Sequence, residues 1–332
     1  MADETHQQAT DGSTVTSTID PYEKLMCIHN PDEDTLTRNF PISTIPLSDD
    51  DQNAKDISLN PDRKTSIRIF RPSTELSVSN KLPIIIYFHG GGFILFSTSS
   101  TIFHNFCQSI AKHVPALVVS VDHRLAPESR LPAAYDDAVD ALNWVKNQAL
   151  DTLNSEPWLK EYGDFSNCFI MGCSSGANIA YHACLKASEL DLGPVKISGL
   201  ILNEPFIGGI ERTSSEIRLM NDKILSVPVS DLMWELSLPI GSDRNHPYCN
   251  LLHNKDEESL RKKCGFIKKC LVIGCDGDSL FDRQVEFVKM LEGKDVKVEA
   301  LLQQGGYHGM VYFDSNELEI MLDKVKDFIL SD

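Results

Sequence analysis

A chain of 332 residues with 42% hydrophobic content can bury one large core or two modest ones. Its 31 basic and 48 acidic residues leave a net charge of −17, which argues against nucleic acid and anionic membranes as partners. A cationic substrate is compatible with that charge, and so is a plain solvated surface. Apolar runs such as Leu82 to Phe88 stop far short of the ~20 residues that cross a bilayer, so no membrane span is expected.

In chain order, the opening Met-Ala-Asp-Glu-Thr-His has neither the basic flank and apolar stretch of a secretory signal nor the composition of a transit peptide; the cytosol is the expected location. Residues 1–18 are polar and poor in apolar anchors, which predicts a disordered tail ahead of a single domain over 19–332. From Ile19 to Asn30, Leu25, Met26 and Ile28 recur at helical spacing behind Asp20-Pro21, which predicts a helix. Asp56 to Leu59 and Thr65 to Phe70 alternate on either side of an Asn-Pro-Asp-Arg turn and read as an antiparallel edge hairpin.

The pattern then changes to strand, helix, strand, helix. Leu82–Phe88 is a buried strand, Ile102–His113 a helix, Ala116–Val121 a strand and Pro132–Asn147 a helix. A strand at Phe169, a helix from Ala177 and strands at Ile197–Leu202 and Cys270–Gly274 follow. The helix Asp282–Leu291, the strand Val296–Leu302 and the helix Asn316–Leu330 close the series. Such alternation predicts a mostly parallel sheet covered on both faces, with ligands at the carboxyl ends of its strands. More than sixty residues between Glu204-Pro205 and Cys270 break the rhythm, with helical patches at Glu211–Met220 and Pro228–Leu238. Cap elements over the strand ends are expected from about 19–45 and 206–250. Nine cysteines, an odd number without a Cys-x-x-Cys pair, read as reduced thiols packed as small hydrophobes, not as disulfides or metal ligands.

The chemistry concentrates in four places. Phe169-Ile-Met-Gly-Cys-Ser-Ser-Gly-Ala177 places Gly-x-Ser-x-Gly between a strand and a helix, the context of a nucleophile elbow that presents Ser174 at the sheet tip. Cys173 beside it is expected to be buried, because an elbow points only its central residue outward. His89-Gly90-Gly91-Gly92 follows a strand directly, and its unshielded N–H groups, with that of Ser175, can cradle a developing oxyanion. His308, in the glycine-flanked loop Gln303 to Gly309, is the expected base for Ser174. The acid lies in Gly274 to Asp282, where Asp278 is preferred over Asp276, and Asp282 is expected to open the next helix. Phe93 to Phe96 can line an apolar substrate pocket or pack in the core, and Phe93, next to the glycine loop, is the candidate substrate contact. Asp122-His123-Arg124 is read as a structural tie to the loop that follows it.

Together these motifs resemble the plant carboxylesterases of the hormone-sensitive-lipase group, within the α/β-hydrolase superfamily. The resemblance rests on His-Gly-Gly-Gly-Phe at 89–93, Val121 to Glu128, Leu131 to Ala138, the elbow, Gly277 to Leu280 and Gly305 to His308. It implies an α/β-hydrolase fold, a triad of Ser174, Asp278 and His308, an oxyanion loop at 89–92, and hydrolysis of a small-molecule ester without metal or organic cofactor. This chain has Cys173 and Ser175 where such relatives usually carry an acid and an alanine around the serine. Leu25 to Asn30 and Asp34 to Pro41 are similar, more narrowly, to the acetylpapaveroxine carboxylesterases of noscapine formation. That likeness implies removal of an acetyl group from a benzylisoquinoline alkaloid. Two rivals share the scaffold: a gibberellin-receptor-like binding protein, against which the presence of His308 counts, and a dehydratase or cyclase.

Overall fold

The continuous apolar runs form the middle of one eight-stranded sheet in the computed structural model, which describes residues 20–48, 51–72, 81–151, 153–253 and 256–331. The tail expected at 1–18 lies outside the described residues. A one-turn helix α1 (Pro21–Lys24) and a hairpin of β1 (Cys27–Asn30) and β2 (Thr35–Arg38) precede β3 (Ala54–Asn60), β4 (Thr65–Phe70) and β5 (Leu82–Phe88). Next come α2 (Thr101–His113), β6 (Leu117–Asp122), α3 (Ala133–Leu150), α4 (Pro157–Tyr162), β7 (Gly163–Cys173), α5 (Ser175–Ala187) and β8 (Ile197–Asn203). After α6 (Ser214–Arg218), α7 (Val227–Ser237) and α8 (Glu257–Cys264), the chain closes with β9 (Lys269–Cys275), α9 (Phe281–Glu292), β10 (Lys297–Gln303) and α10 (Ser315–Leu330).

The strand order is β10-β9-β8-β7-β5-β6-β4-β3. From β10 to β6 all neighbours are parallel, while β4 runs antiparallel to β6 and pairs with β3 as the expected edge hairpin. Successive side chains of a strand point to opposite faces, so a strand apolar at every position needs cover on both. In β5, Ile84, Ile86 and Phe88 join the core of α3, α5 and α9, whereas Ile85 and Tyr87 join that of α2 and α10. Each such fully buried side chain contributes roughly 1.5–3 kcal/mol of hydrophobic stabilisation. All nine cysteines are buried free thiols. Among the described residues no helix is long and apolar enough to cross a membrane.

The structure departs from the sequence reading in three places. The helix expected over 19–30 stops after one turn, capped by the Asp20 carboxylate, and gives way to the β1–β2 hairpin. Leu25 and Cys27 are buried while Met26 and Ile28 are exposed, which is the period of a strand. Long-range bonds favour the hairpin: the Arg38 guanidinium donates to the Ile94 and Ala126 carbonyls at 2.6 and 2.8 Å and pairs with Glu128, and Asp34 accepts two bonds from Arg130. Secondly, α4 and α8 have no counterpart in the sequence reading, and the patch Glu211–Met220 shrinks to α6, held by a Thr213–Glu216 capping box. Thirdly, Arg124 is structural, as read, but ties its loop to α3 and not to residues 125–128. It forks onto buried Asp137 of α3 at 2.7–3.0 Å, and Arg38 takes the role at Ala126 and Glu128.

Candidate active site

The turn between β7 and α5 is built by steric exclusion. A side chain on Gly176 would run into the Phe88 carbonyl, and one on Gly172 into the backbone of Gly176, so strand and helix approach as only glycine permits. Ser174 is thereby held at φ 52° and ψ −122°, a conformation L residues rarely adopt, and its N–H donates to the Asn203 carbonyl at 2.9 Å. It is the N-cap of α5, so the positive end of that helix faces its hydroxyl.

His308 reaches the same point from the loop after β10, where Gly305, Gly306 and Gly309 all take φ near +77°. Its Nε2 lies 2.9 Å from Ser174 Oγ and its Nδ1 2.8 Å from Asp278 Oδ2. Asp278 is fully buried, and it also accepts from Gln284 Nε2 and from the Leu280 N–H. The other two candidate acids point elsewhere. Asp276 accepts the Gly305 N–H at 2.6 Å, and Asp282 accepts the Ser215 N–H at 2.8 Å. Burial disfavours the charged imidazole of His308, but the Asp278 carboxylate, with Glu204 and Asp222 behind it, outweighs this and pushes it up to about 9. Cys173 is buried with its thiol 2.9 Å from the Tyr87 hydroxyl, and burial pushes that thiol up to about 11, so it presents no thiolate near neutrality.

Gly90, Gly91 and Gly92 line a cavity of about 330 Å³ together with Ser174 and His308. Gly91 and Gly92 have φ of 113° and 60°. The carbonyls of this loop are engaged behind it: Gly91 O accepts from Ile94 and Leu95, Gly92 O from the Ser237 hydroxyl, and Phe93 O from Ala126. His89 and Ser175 are fully buried and are not among the lining residues. The His89 ring stacks on His123 at 4.2 Å and contacts its neighbour's carbonyl, which braces the glycine loop. Ser175 is the first residue of α5, where backbone N–H groups have no partner within the helix. Aromatic side chains, among them Phe40, Phe96, Phe103 and Tyr312, form one wall of the cavity, and Leu225, Val229 and Met233 form part of the other. Such an apolar enclosure around a few polar groups suits a small organic ligand.

Phe93, expected in the pocket, is instead 1% exposed and not among its lining residues. At φ 64° its ring turns into the core, against Trp234 and Phe206 at 5.4 and 6.1 Å. Ile94 is likewise in the core, whereas Leu95 and Phe96 line the cavity. Phe93→Ala is therefore expected to cost about 3–5 kcal/mol in urea unfolding, with KM changed by less than about threefold; a large KM effect without lost stability would return Phe93 to the pocket.

Glu204 was not anticipated. It is 3% exposed, lines the cavity at the end of β8, and accepts the Gly309 N–H at 2.7 Å. The available signal was a lone carboxylate directly behind an apolar strand, at the sheet edge where ligands bind.

Residues 85–312 match the family model of the alpha/beta hydrolase fold. The chain is 64% identical to 3-O-acetylpapaveroxine carboxylesterase CXE1 of Papaver somniferum, over 94% of this chain and 98% of that protein. It is 65% identical to CXE2 of the same name and organism, over 93% and 99%. Among solved structures, an esterase of Pyrobaculum calidifontis superposes with a TM-score of 0.68 over 84% of this chain and 86% of that one, at 23% identity.

Proposed function

This chain belongs to the α/β-hydrolase fold family and is a carboxylic ester hydrolase; on that premise we propose that it removes a small acyl group, an acetyl, from a benzylisoquinoline alkaloid ester of the O-acetylpapaveroxine type. The observation that carries the mechanism is the unbroken line from Ser174 Oγ through the His308 ring to Asp278 Oδ2. His308 Nε2 takes the serine proton, and the alkoxide attacks the ester carbonyl. The N–H groups of Gly91, Gly92 and Ser175 hold the resulting oxyanion. The imidazolium returns its proton to the departing alcohol, leaving an acyl-enzyme. Water activated by the same ring then releases the acid. Asp278 keeps the proton on Nδ1 and stabilises the imidazolium. The substrate assignment is supported by the high identity to the two poppy esterases over nearly their full length and by the apolar cavity around the serine.

The same reading makes 19–45 and 206–250 a cap on a single domain; Lys24 of the first segment donates to the Asp222 carbonyl of the second at 2.6 Å. A cytosolic setting accords with nine unpaired thiols.

Incubation with acetylated and longer-chain acyl esters of a benzylisoquinoline alcohol, with both products quantified, tests the proposal. Equimolar acid and alcohol, fastest for acetate, are expected. Tight binding without turnover would favour a receptor, and loss of water or ring closure without acid release a dehydratase or cyclase.

Because only neutral His308 can accept the serine proton, activity must rise with pH through its titration. With that ring pushed up to about 9, the acid limb of kcat/KM for an aryl acetate is expected well above pH 6.5. A profile flat from mildly acid to alkaline pH would contradict His308 as the base.

A further inference from the structure

Glu204 sits in the cavity wall beside His308, and the acyl-transfer scheme gives it no part. A carboxylate this deeply buried is rarely retained without a partner. Its backbone, at φ 46°, is anchored by its own N–H donating to Ile273 of β9 at 2.8 Å. From there its Oε2 accepts the N–H of Gly309, the residue directly after His308, at 2.7 Å. One oxygen of Glu204, one of Asp278 and one ring nitrogen of His308 all lie within 4.8 Å of one another.

We propose, on the reading of His308 as the base, that Glu204 is a positioning residue: its carboxylate grips the Gly309 backbone so that the imidazole stays aimed at Ser174, and its charge stabilises the imidazolium alongside Asp278. The two effects arise from different features of the side chain. Gly309 has φ 77° and no side chain to hold it, so the bond to Glu204 fixes the direction in which the loop leaves the histidine. The charge acts through space, since an opposite charge within ~4–6 Å favours the protonated ring by about 1–3 pH units.

The groups facing this pair come from several elements. Asp278 and Cys275 approach Glu204 from β9 and the turn after it, Cys173 from the end of β7, Tyr312 from the turn after His308, and His308 itself from the glycine loop. Asp222 of the cap adds its charge to the field at His308. Burial and the Asp278 charge hold the Glu204 carboxyl above its usual range, while His308 and the Gly309 N–H pull it back. The carboxylate is therefore favoured most when the ring is protonated, which is when transfer from Ser174 needs it.

Two variants separate grip from charge. Glu204→Gln keeps an oxygen for the Gly309 N–H but removes the charge; Glu204→Asp keeps the charge but, shorter by a methylene, releases Gly309. For an aryl acetate, the Gln variant is expected to move the acid limb of kcat/KM down by about one pH unit or more and to lower limiting kcat roughly tenfold. The Asp variant is expected to leave the limb where it was and lower kcat. An unmoved limb in a folded Gln variant overturns the proposal, whether or not kcat falls, because a merely structural residue changes rate and melting temperature without shifting that titration. Should only the Asp variant fold, an unmoved limb with kcat lowered at least about tenfold supports the grip, and unchanged kcat overturns it. Ser174→Ala run in parallel keeps the two readings apart: its full activity would remove the serine mechanism, whatever Glu204 does.

Discussion

Replacing Ser174 by alanine is expected to lower kcat for an aryl acetate by a factor on the order of 10⁶ while the fold persists. The hydroxyl is the atom that meets His308 Nε2, and the scheme has no other nucleophile: the neighbouring Cys173 thiol is buried against Tyr87 and held protonated. The strained backbone at residue 174 is no worse for alanine than for serine, and the N–H bond to Asn203 does not involve the side chain. Circular dichroism and the melting temperature should therefore match the native protein. Near-native turnover in this variant would sink the nucleophile assignment.

Asp278→Asn is expected to lower kcat about 10⁴-fold, and Asp276→Asn by less than about tenfold. An asparagine at 278 can turn an N–H₂ toward His308 Nδ1 and so stabilise the tautomer that cannot accept the serine proton. The Gln284 amide, which also donates to Asp278 Oδ2, competes for the one remaining acceptor. Asp276 instead holds the Gly305 N–H, a bond that an asparagine oxygen can keep. Steady-state kinetics of the two variants side by side decide between them, and equal losses would mean that the glycine loop, not the buried acid, governs the base.

Local rules explain how much of this was legible beforehand. The run Leu82–Phe88 is apolar at every position, which only a doubly covered strand tolerates, and β5 has those bounds. Gly172 marked the elbow because its steric requirement acts on Gly176, four residues on, whereas the obstacle to a side chain at Gly176 itself is the Phe88 carbonyl of the neighbouring strand. Between Asp276, Asp278 and Asp282 local rules set Asp282 aside as a helix opener and gave only a preference for Asp278 over Asp276, since all three share one glycine-containing segment. Their partners Gly305, His308 and Ser215 lie 29, 30 and 67 positions away. Phe93 misled for a related reason: an apolar residue behind a glycine loop looks the same whether it turns outward or, as at φ 64°, inward. The segment after Asp20 carried too few residues to separate a helical from a strand period, and Arg38 and Arg130 settled it from outside.

The amino-acid sequence by itself determined the order of the central strands and the helices that cover them, the two-sided cover of the sheet and the sharp turn at Ser174, because periodicity and the Gly172–Gly176 contact operate between near neighbours. Only the tertiary structure decided which carboxylate meets the imidazole, that Glu204 stands beside it, that Phe93 belongs to the core, and that a hairpin replaces the first helix. Those outcomes depend on hydrogen bonds and packing between segments far apart in the chain, which no local pattern encodes.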